Sequence, residues 1–211
     1  MEGIPDNRKR VYVVEHLDLE LGPWSALEYQ AIARESASAG VGFCLSSVPK
    51  DLQLPAELRE MNSLILEHQS VETVFRDKKE RICLLDPKGK AELSPEDAEK
   101  FDVFLFGGIL GDEPPRDRTS ELRAKGFIGR RLGPVQMTTD TAVRVTRLVI
   151  EEKVSLNDIP YIDEPELRID EHESTVMPFR YVKDAEGKPI MPQGMIDLIK
   201  KDSEKGFGDL L

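Results

Sequence analysis

Four short stretches carry residue types that could bind or transfer a small group: Glu15-His16, Asp86-Pro87, the run Gly107, Gly108, Ile109, Leu110, Gly111, Asp112, and Arg131-Leu132-Gly133. Clustered glycines supply backbone torsions that side chains forbid, or let a ligand approach bare peptide. The acids could hold a cation or orient a proton donor. Each stretch follows an apolar run, and polar, glycine-rich loops also end strands that bind nothing, so on residue type alone the set reads as ligand loops or as plain turns. None is a GxGxxG or GxxxxGK[ST] loop, so dinucleotide and P-loop chemistry lose their main support. No nucleophile elbow and no convincing Ser/His/Asp set is present. His16, His68 and His172 lie far apart without metal-ligand spacing, and His16 reads as structural. Cys44 and Cys83 sit inside "GFCLSS" and "RICLLD" with no CxxC, so no metal site is expected. Both thiols read as small core hydrophobes in a reducing compartment.

The elements that position these stretches alternate. Residues 10–16, 41–47, 81–87, 101–106 and 127–133 read as short buried strands ended by turn residues. Between them, residues 24–38 show helical spacing through Trp24, Leu27, Ala31 and Ile32, and Gly40 stops that helix. Residues 55–68 are expected to form a second helix, with Leu58, Met61, Leu64 and Ile65 on one face. "VETVFR" is ambiguous. Ser94-Pro95-Glu96-Asp97 is a helix start: a serine cap, a proline in the first turn, and acids at the positive end of the dipole. Residues 118–125 read as a short helix closed by Gly126. "QMTTDTAVRVTRLVIEEKV" places Ala142, Val145, Leu148 and Val149 on one helical face, with Thr138 or Thr139 as cap. Strands alternating with helices predict an α/β fold, a mainly parallel sheet with helices on both faces. In such sheets ligands bind at the carboxyl ends of the strands, where all four stretches lie.

After Val154 the character changes. Residues 157–173 hold seven acids against one arginine, so this piece carries −6 of the net charge of −11. "TVMPFRYVKDAEGKPIMP" reads as an extended hairpin with Glu186-Gly187 in the turn, and "GMIDLIKKD" as a final helix. The expected division is a domain over residues 1–154 and a C-terminal extension, 155–211, packed on it. The acidic total disfavours a polyanionic partner, since gripping nucleic acid requires a cationic face. No apolar run reaches the ~20 residues a membrane-spanning helix needs, and the polar N-terminus lacks the apolar core of a signal peptide. A cytoplasmic location is expected, with no membrane partner.

"FGGILGDEPPRDRT" followed by "RRLGPVQMTTDTA" resembles the paired loops of the SPOUT (α/β-knotted) methyltransferases, above all their monomeric fungal branch of protein-arginine methyltransferases. The resemblance continues through "CLLDP", "SPEDAEKFD", "MPFRYV" and "MIDLIKKDS", and is weakest over the first ten residues and residues 48–79. It implies a trefoil knot within about residues 80–154. It implies S-adenosylmethionine as cofactor and S-adenosylhomocysteine as product, with Leu85, Asp86, Pro87, Phe106, Gly107, Gly108, Leu110 and Gly111 on one wall of the site. Arg131, Leu132, Gly133, Gln136, Met137 and Thr138 would form the other. It further implies an arginine acceptor in a basic protein of the small ribosomal subunit, and a monomer. An arginine acceptor stays protonated at neutral pH, so carboxylates must orient it. Glu15, Asp112 and Asp140 are the candidates, and Asp163, Glu164 and Glu166 would help dock the basic protein. An RNA acceptor, as in most relatives of this fold, and a non-catalytic ribosome-associated binder are the alternatives.

Overall fold

The structure, a computed structural model, describes residues 10–107, 119–168 and 174–208. Seven strands form one sheet: β1 (Val11–Glu15), β2 (Gly42–Ser46), β3 (Leu64–Leu66), β4 (Ile82–Leu85), β5 (Ala91–Glu92), β6 (Val103–Gly107) and β7 (Ile128–Arg131). Their order is β3-β2-β1-β6-β4-β7-β5 and every pairing is parallel. The solid apolar runs are explained by burial on both faces. Alternate residues point to opposite sides of a pleated strand, so Tyr12, Val14, Phe43, Leu45, Phe104 and Phe106 join one core cluster. Val11, Val13, Cys44, Leu84, Val103 and Leu105 join another on the far face.

Helix α1 (Pro23–Ser38) covers the first face and ends where Gly40 takes a left-handed φ of 68°. Helices α3 (Val71–Val74) and α4 (Thr119–Ala124) contribute Val71 and Leu122 to the second. The Ser94-Pro95 start is realised as a single 3-10 segment, Pro95–Glu99, whose Asp97 carboxylate accepts from the Ser94 amide at 3.1 Å. Helix α5 (Thr139–Ile150) is buried nearly all round: Val143, Val145, Val149 and Ile150 are buried, and so are Asp140, Thr141, Arg144 and Thr146. Ala142 and Leu148, expected on its buried face, are only partly buried.

The helix expected over residues 55–68 does not form. Helix α2 stops after one turn (Ala56–Arg59), and β3 then pairs with β2, Leu64 beside Phe43 and Ile65 beside Cys44. The open edge of β2 offers unpaired peptide groups, and that long-range pairing overrides a local helical spacing.

The expected hairpin after residue 174 also divides. Strand β8 (Tyr161–Asp163) pairs with β11 (Arg180–Val182), and β9 (Glu166–Arg168) pairs with β10 (Ser174–Val176), both antiparallel. The turn itself is where the sequence put it, with Gly187 at φ 81° and the Asp184 amide donating to the Lys188 carbonyl at 2.8 Å. Helix α6 (Met195–Gly208) follows. This C-terminal part adds Leu156, Ile159 and Val182 to the first core cluster, and builds a third around Leu167, Met177 and Tyr181.

Candidate active site

The carboxyl ends of β4, β6 and β7 surround a cavity of about 390 Å³, a size that suits a small organic ligand. The end of β4 supplies Leu85, the turn after it Asp86, Pro87 and Lys88, and the end of β6 Phe106 and Gly107. Helix α4 adds Thr119 and Arg123, the segment after β7 adds residues 132–137, and α5 adds Thr139 and Ala142. The lining is mostly apolar, with a few polar groups at defined places.

Asp86 organises one wall. Arg123 forks onto its carboxylate, with Nε to Oδ2 at 2.5 Å and Nη2 to Oδ1 at 2.6 Å. The Thr119 hydroxyl donates to it at 3.3 Å and the Lys88 amide at 2.9 Å. Burial alone would raise the Asp86 carboxyl; hydrogen bonds from Arg123 and Lys88 outweigh it and hold the group below the usual carboxylate range. Asp86 is therefore an anion tied to a cation, and the pair stitches the β4 turn to α4.

The opposite wall hangs on α5, which α1 holds in place. Glu28 of α1 accepts the Thr139 amide at 3.2 Å, so a side chain 111 positions away satisfies one of the free donors at the start of α5. Thr138 stands at the N-cap position, but its hydroxyl bonds Asp140 and Thr141 instead of capping. Arg144 and Arg147 both donate to Glu35 of α1. At the far end Glu151 accepts from Arg10 and Tyr12. Burial and then the charge of Asp140 push the Glu28 carboxyl well above the usual range, and burial raises Asp140 despite Arg144 beside it. The two carboxyls form a buried pair behind the cavity wall, each pushed upward by its burial.

Of the residues the sequence put in the cofactor site, Leu85, Asp86, Pro87, Phe106, Gly107, Leu132, Gly133, Gln136 and Met137 all line the cavity. Gly108, Leu110 and Gly111 lie outside the described residues. Arg131 does not line the cavity. Its guanidinium bonds the carbonyls of Gly89 and Lys90, because its place on β7 turns it toward the β5 edge. Thr138 is buried on Asp140 rather than open to the cavity.

The carboxylates proposed to orient an acceptor fare differently. Glu15 is 1% exposed, and its oxygens accept from the hydroxyls of Ser46 and Ser47 and the amide of Val71. Asp140 is 2% exposed and engaged by Thr138 and Arg144. Both are structural: ending a strand or starting a helix brought them to the right edge, but packing turned them away from the cavity. Asp112 lies outside the described residues. Among the proposed docking acids, Asp163 is paired with Arg180, Glu166 accepts from Ser174, and Glu164 is exposed at a φ of 48°. His16 is buried with Nδ1 3.1 Å from the Tyr29 hydroxyl.

Sequence reasoning missed Lys88, Thr119, Arg123, Pro134, Val135, Thr139 and Ala142. Pro134 and Val135 stand inside the "RRLGPVQMTTDTA" motif and could have been taken with their neighbours. Thr119 and Arg123 sit one helical turn apart, but nothing local links them to Asp86.

A parallel α/β sheet covered on both faces, with a mostly apolar cavity at its carboxyl edge, is the architecture in which doubly wound proteins hold their ligands. That fold recurs in the dual specific Trm10 from Thermococcus kodakaraensis, with a TM-score of 0.51 at 16% identity over 70% of this chain and 95% of that one. Residues 11–206 match the family described as protein arginine N-methyltransferase SFM1-like, and the chain belongs to that family. It is 47% identical to the protein arginine N-methyltransferase SFM1 of Saccharomyces cerevisiae, over 95% of this chain and 99% of that protein. It is also similar to the crystal structure of the yeast arginine methyltransferase SFM1 complexed with SAM. There the TM-score is 0.84 at 46% identity, covering 92% of each chain.

Proposed function

We propose that the protein transfers a methyl group from S-adenosylmethionine to an arginine side chain of a basic protein, of the kind found in the small ribosomal subunit. The observation that carries this reading is the cavity of about 390 Å³, built where the family's loops stand in the chain. Its residues fit the cofactor. Gly107 and Gly133, the latter at φ 98°, present backbone without a side chain, and the apolar walls suit an adenosine ring. Gln136, Thr139 and the Asp86–Arg123 pair supply polar contacts for ribose and amino-acid groups. The bound cofactor supplies a methyl already activated on a sulfonium. The transfer forms one C–N bond, breaks one C–S bond and releases one guanidinium proton to solvent. The chain must therefore align acceptor and donor and exclude water more than supply a strong base. Leu132, Pro134, Val135, Met137, Phe106 and Ala142 do this by enclosing the site with apolar surface. The trefoil knot over about residues 80–154, the monomeric state and the cytoplasmic location belong to the same reading.

The net charge of −11 and the exposed Glu164 and Glu166 support a basic protein as acceptor over RNA. Radiolabelled methyl transfer into a ribosomal lysate, followed separately by protease and ribonuclease, tests the reading. Protease-sensitive label recovered as methylarginine is expected, and ribonuclease-sensitive label overturns it. In parallel, Ala142→Phe should overfill the cavity. Overpacking of about 1–3 kcal/mol corresponds to a loss of cofactor affinity of about 5- to 150-fold by calorimetry.

A further inference from the structure

An arginine methyltransferase needs a group that holds the acceptor guanidinium, and neither Glu15 nor Asp140 faces the cavity. The structure nevertheless contains a complete guanidinium receptor, filled by the chain's own Arg180. Its Nε and Nη2 donate to the two oxygens of Asp163 at 2.6 and 2.8 Å, the fork-on-fork arrangement. Its guanidinium carbon stands over the Tyr161 ring, 4.5 Å from the centroid. The antiparallel pairing of β8 and β11 creates the site, setting Arg180 directly opposite Asp163, with Tyr161 two residues along the same strand.

This receptor stands at the rim of the cavity. Arg180 Nη1 lies 3.8 Å from where a Cβ on Gly133 would be, and its amide donates to the Gln136 carbonyl at 2.8 Å. Gly133 and Gln136 both line the cavity. We propose that Tyr161 and Asp163 form the subsite for the substrate's acceptor arginine, and that Arg180 is an internal placeholder which the acceptor displaces. The proposal rests on the methyltransferase reading above.

Three features favour exchange over a permanent strut. The Asp163 side chain is 47% exposed, so an incoming guanidinium reaches its oxygens from solvent. The pair is bidentate and stacked, so only an equal occupant competes for it: one guanidinium replaces another without changing the charge or the hydrogen-bond count. The hydrogen bonds of Arg180 hold the Asp163 carboxyl below its usual range, and an acceptor guanidinium in the same place would hold it there in turn. A planar fork stacked on a tyrosine also excludes lysine, whose point charge cannot bond both oxygens in the plane of the stack.

The test compares wild type with Arg180→Gln, Arg180→Lys and Asp163→Asn. Cofactor affinity is measured by calorimetry, and apparent KM is measured with extracted small-subunit ribosomal proteins as acceptor. If Arg180 is a placeholder, both Arg180 variants lower the acceptor KM at least threefold and leave cofactor affinity within twofold. Asp163→Asn raises the acceptor KM at least fivefold, and adding Arg180→Gln to it gives no recovery. If Arg180→Gln instead weakens cofactor binding, or leaves the acceptor KM unchanged, Arg180 is a strut for the segment after β7 and the proposal is wrong. The lysine variant keeps the charge and stem, which guards against a glutamine variant that fails to fold. A wild-type enzyme that labels no protein would refute the methyltransferase reading itself, an outcome distinct from either of these.

Discussion

Gly89 is the position where the smallest possible change should do the most damage. It lies in the turn after β4, and a Cβ built on it would stand 2.7 Å from the Arg130 carbonyl carbon and 2.9 Å from the Arg131 amide nitrogen. Carbon contacts are comfortable at about 3.5–4.0 Å, and both obstacles are backbone of β7, which cannot rotate away. Reaching even a tight 3.4 Å contact requires a shift of about 0.7 Å between turn and strand. Two bonds hold that spacing, the Asp86 amide on the Arg130 carbonyl at 2.8 Å and the Arg131 guanidinium on the Gly89 carbonyl at 3.2 Å. A displacement of about 0.7 Å carries them to about 3.5–3.9 Å, beyond good geometry, at about 1 kcal/mol each. Adding about 1–3 kcal/mol of overpacking gives a loss of roughly 3–5 kcal/mol for Gly89→Ala, or about 6–20 °C in Tm for a chain this size. The same shift moves Asp86, Pro87 and Lys88, so cofactor affinity should fall with stability. Urea unfolding and calorimetry on the variant decide the matter. A change under 1 kcal/mol would mean that the turn and β7 are not packed as described.

The buried Glu28 carboxyl gives a pH prediction. A folded pKa above the unfolded value means that the fold holds the proton more tightly, so this contribution is present below about pH 4.3 and is lost as pH rises through the folded value. Glu28→Gln keeps an acceptor for the Thr139 amide and cannot ionise. Its stability should therefore decline less than that of wild type as pH rises above about 4.3 in urea melts, and parallel curves would contradict the assignment. Replacing the exposed Glu164 and Glu166 by lysine should slow transfer to a basic protein, with a smaller effect at high salt where exposed charges are screened. A gain in activity would point to an RNA acceptor.

The sequence alone determined the sheet and its sidedness. Solid apolar runs such as "VYVV" and "VFLF" require burial on both faces, and helices alternating with them require parallel crossovers. Gly40 marked the end of α1 for a reason local to the chain, the left-handed torsion that it takes there. The glycine loops and the family resemblance named most of the cavity, because a strand end and its following turn are contiguous in sequence. Tertiary structure decided what each charged side chain does. Glu15 and Asp140 occupy the expected edge, yet Ser46, 31 positions from Glu15, and Glu28 of α1, with Thr138 and Arg144, beside Asp140 hold both carboxyls inside the protein. Arg123 became a cavity residue by reaching Asp86 across 37 positions, and Arg180 reached the cavity rim only because β11 pairs with β8. Residues 64–66 became a strand when the edge of β2 was there to receive them. Local periodicity reports which backbone shape a segment favours, whereas hydrogen-bond and charge partners depend on which distant segments the closed fold brings together.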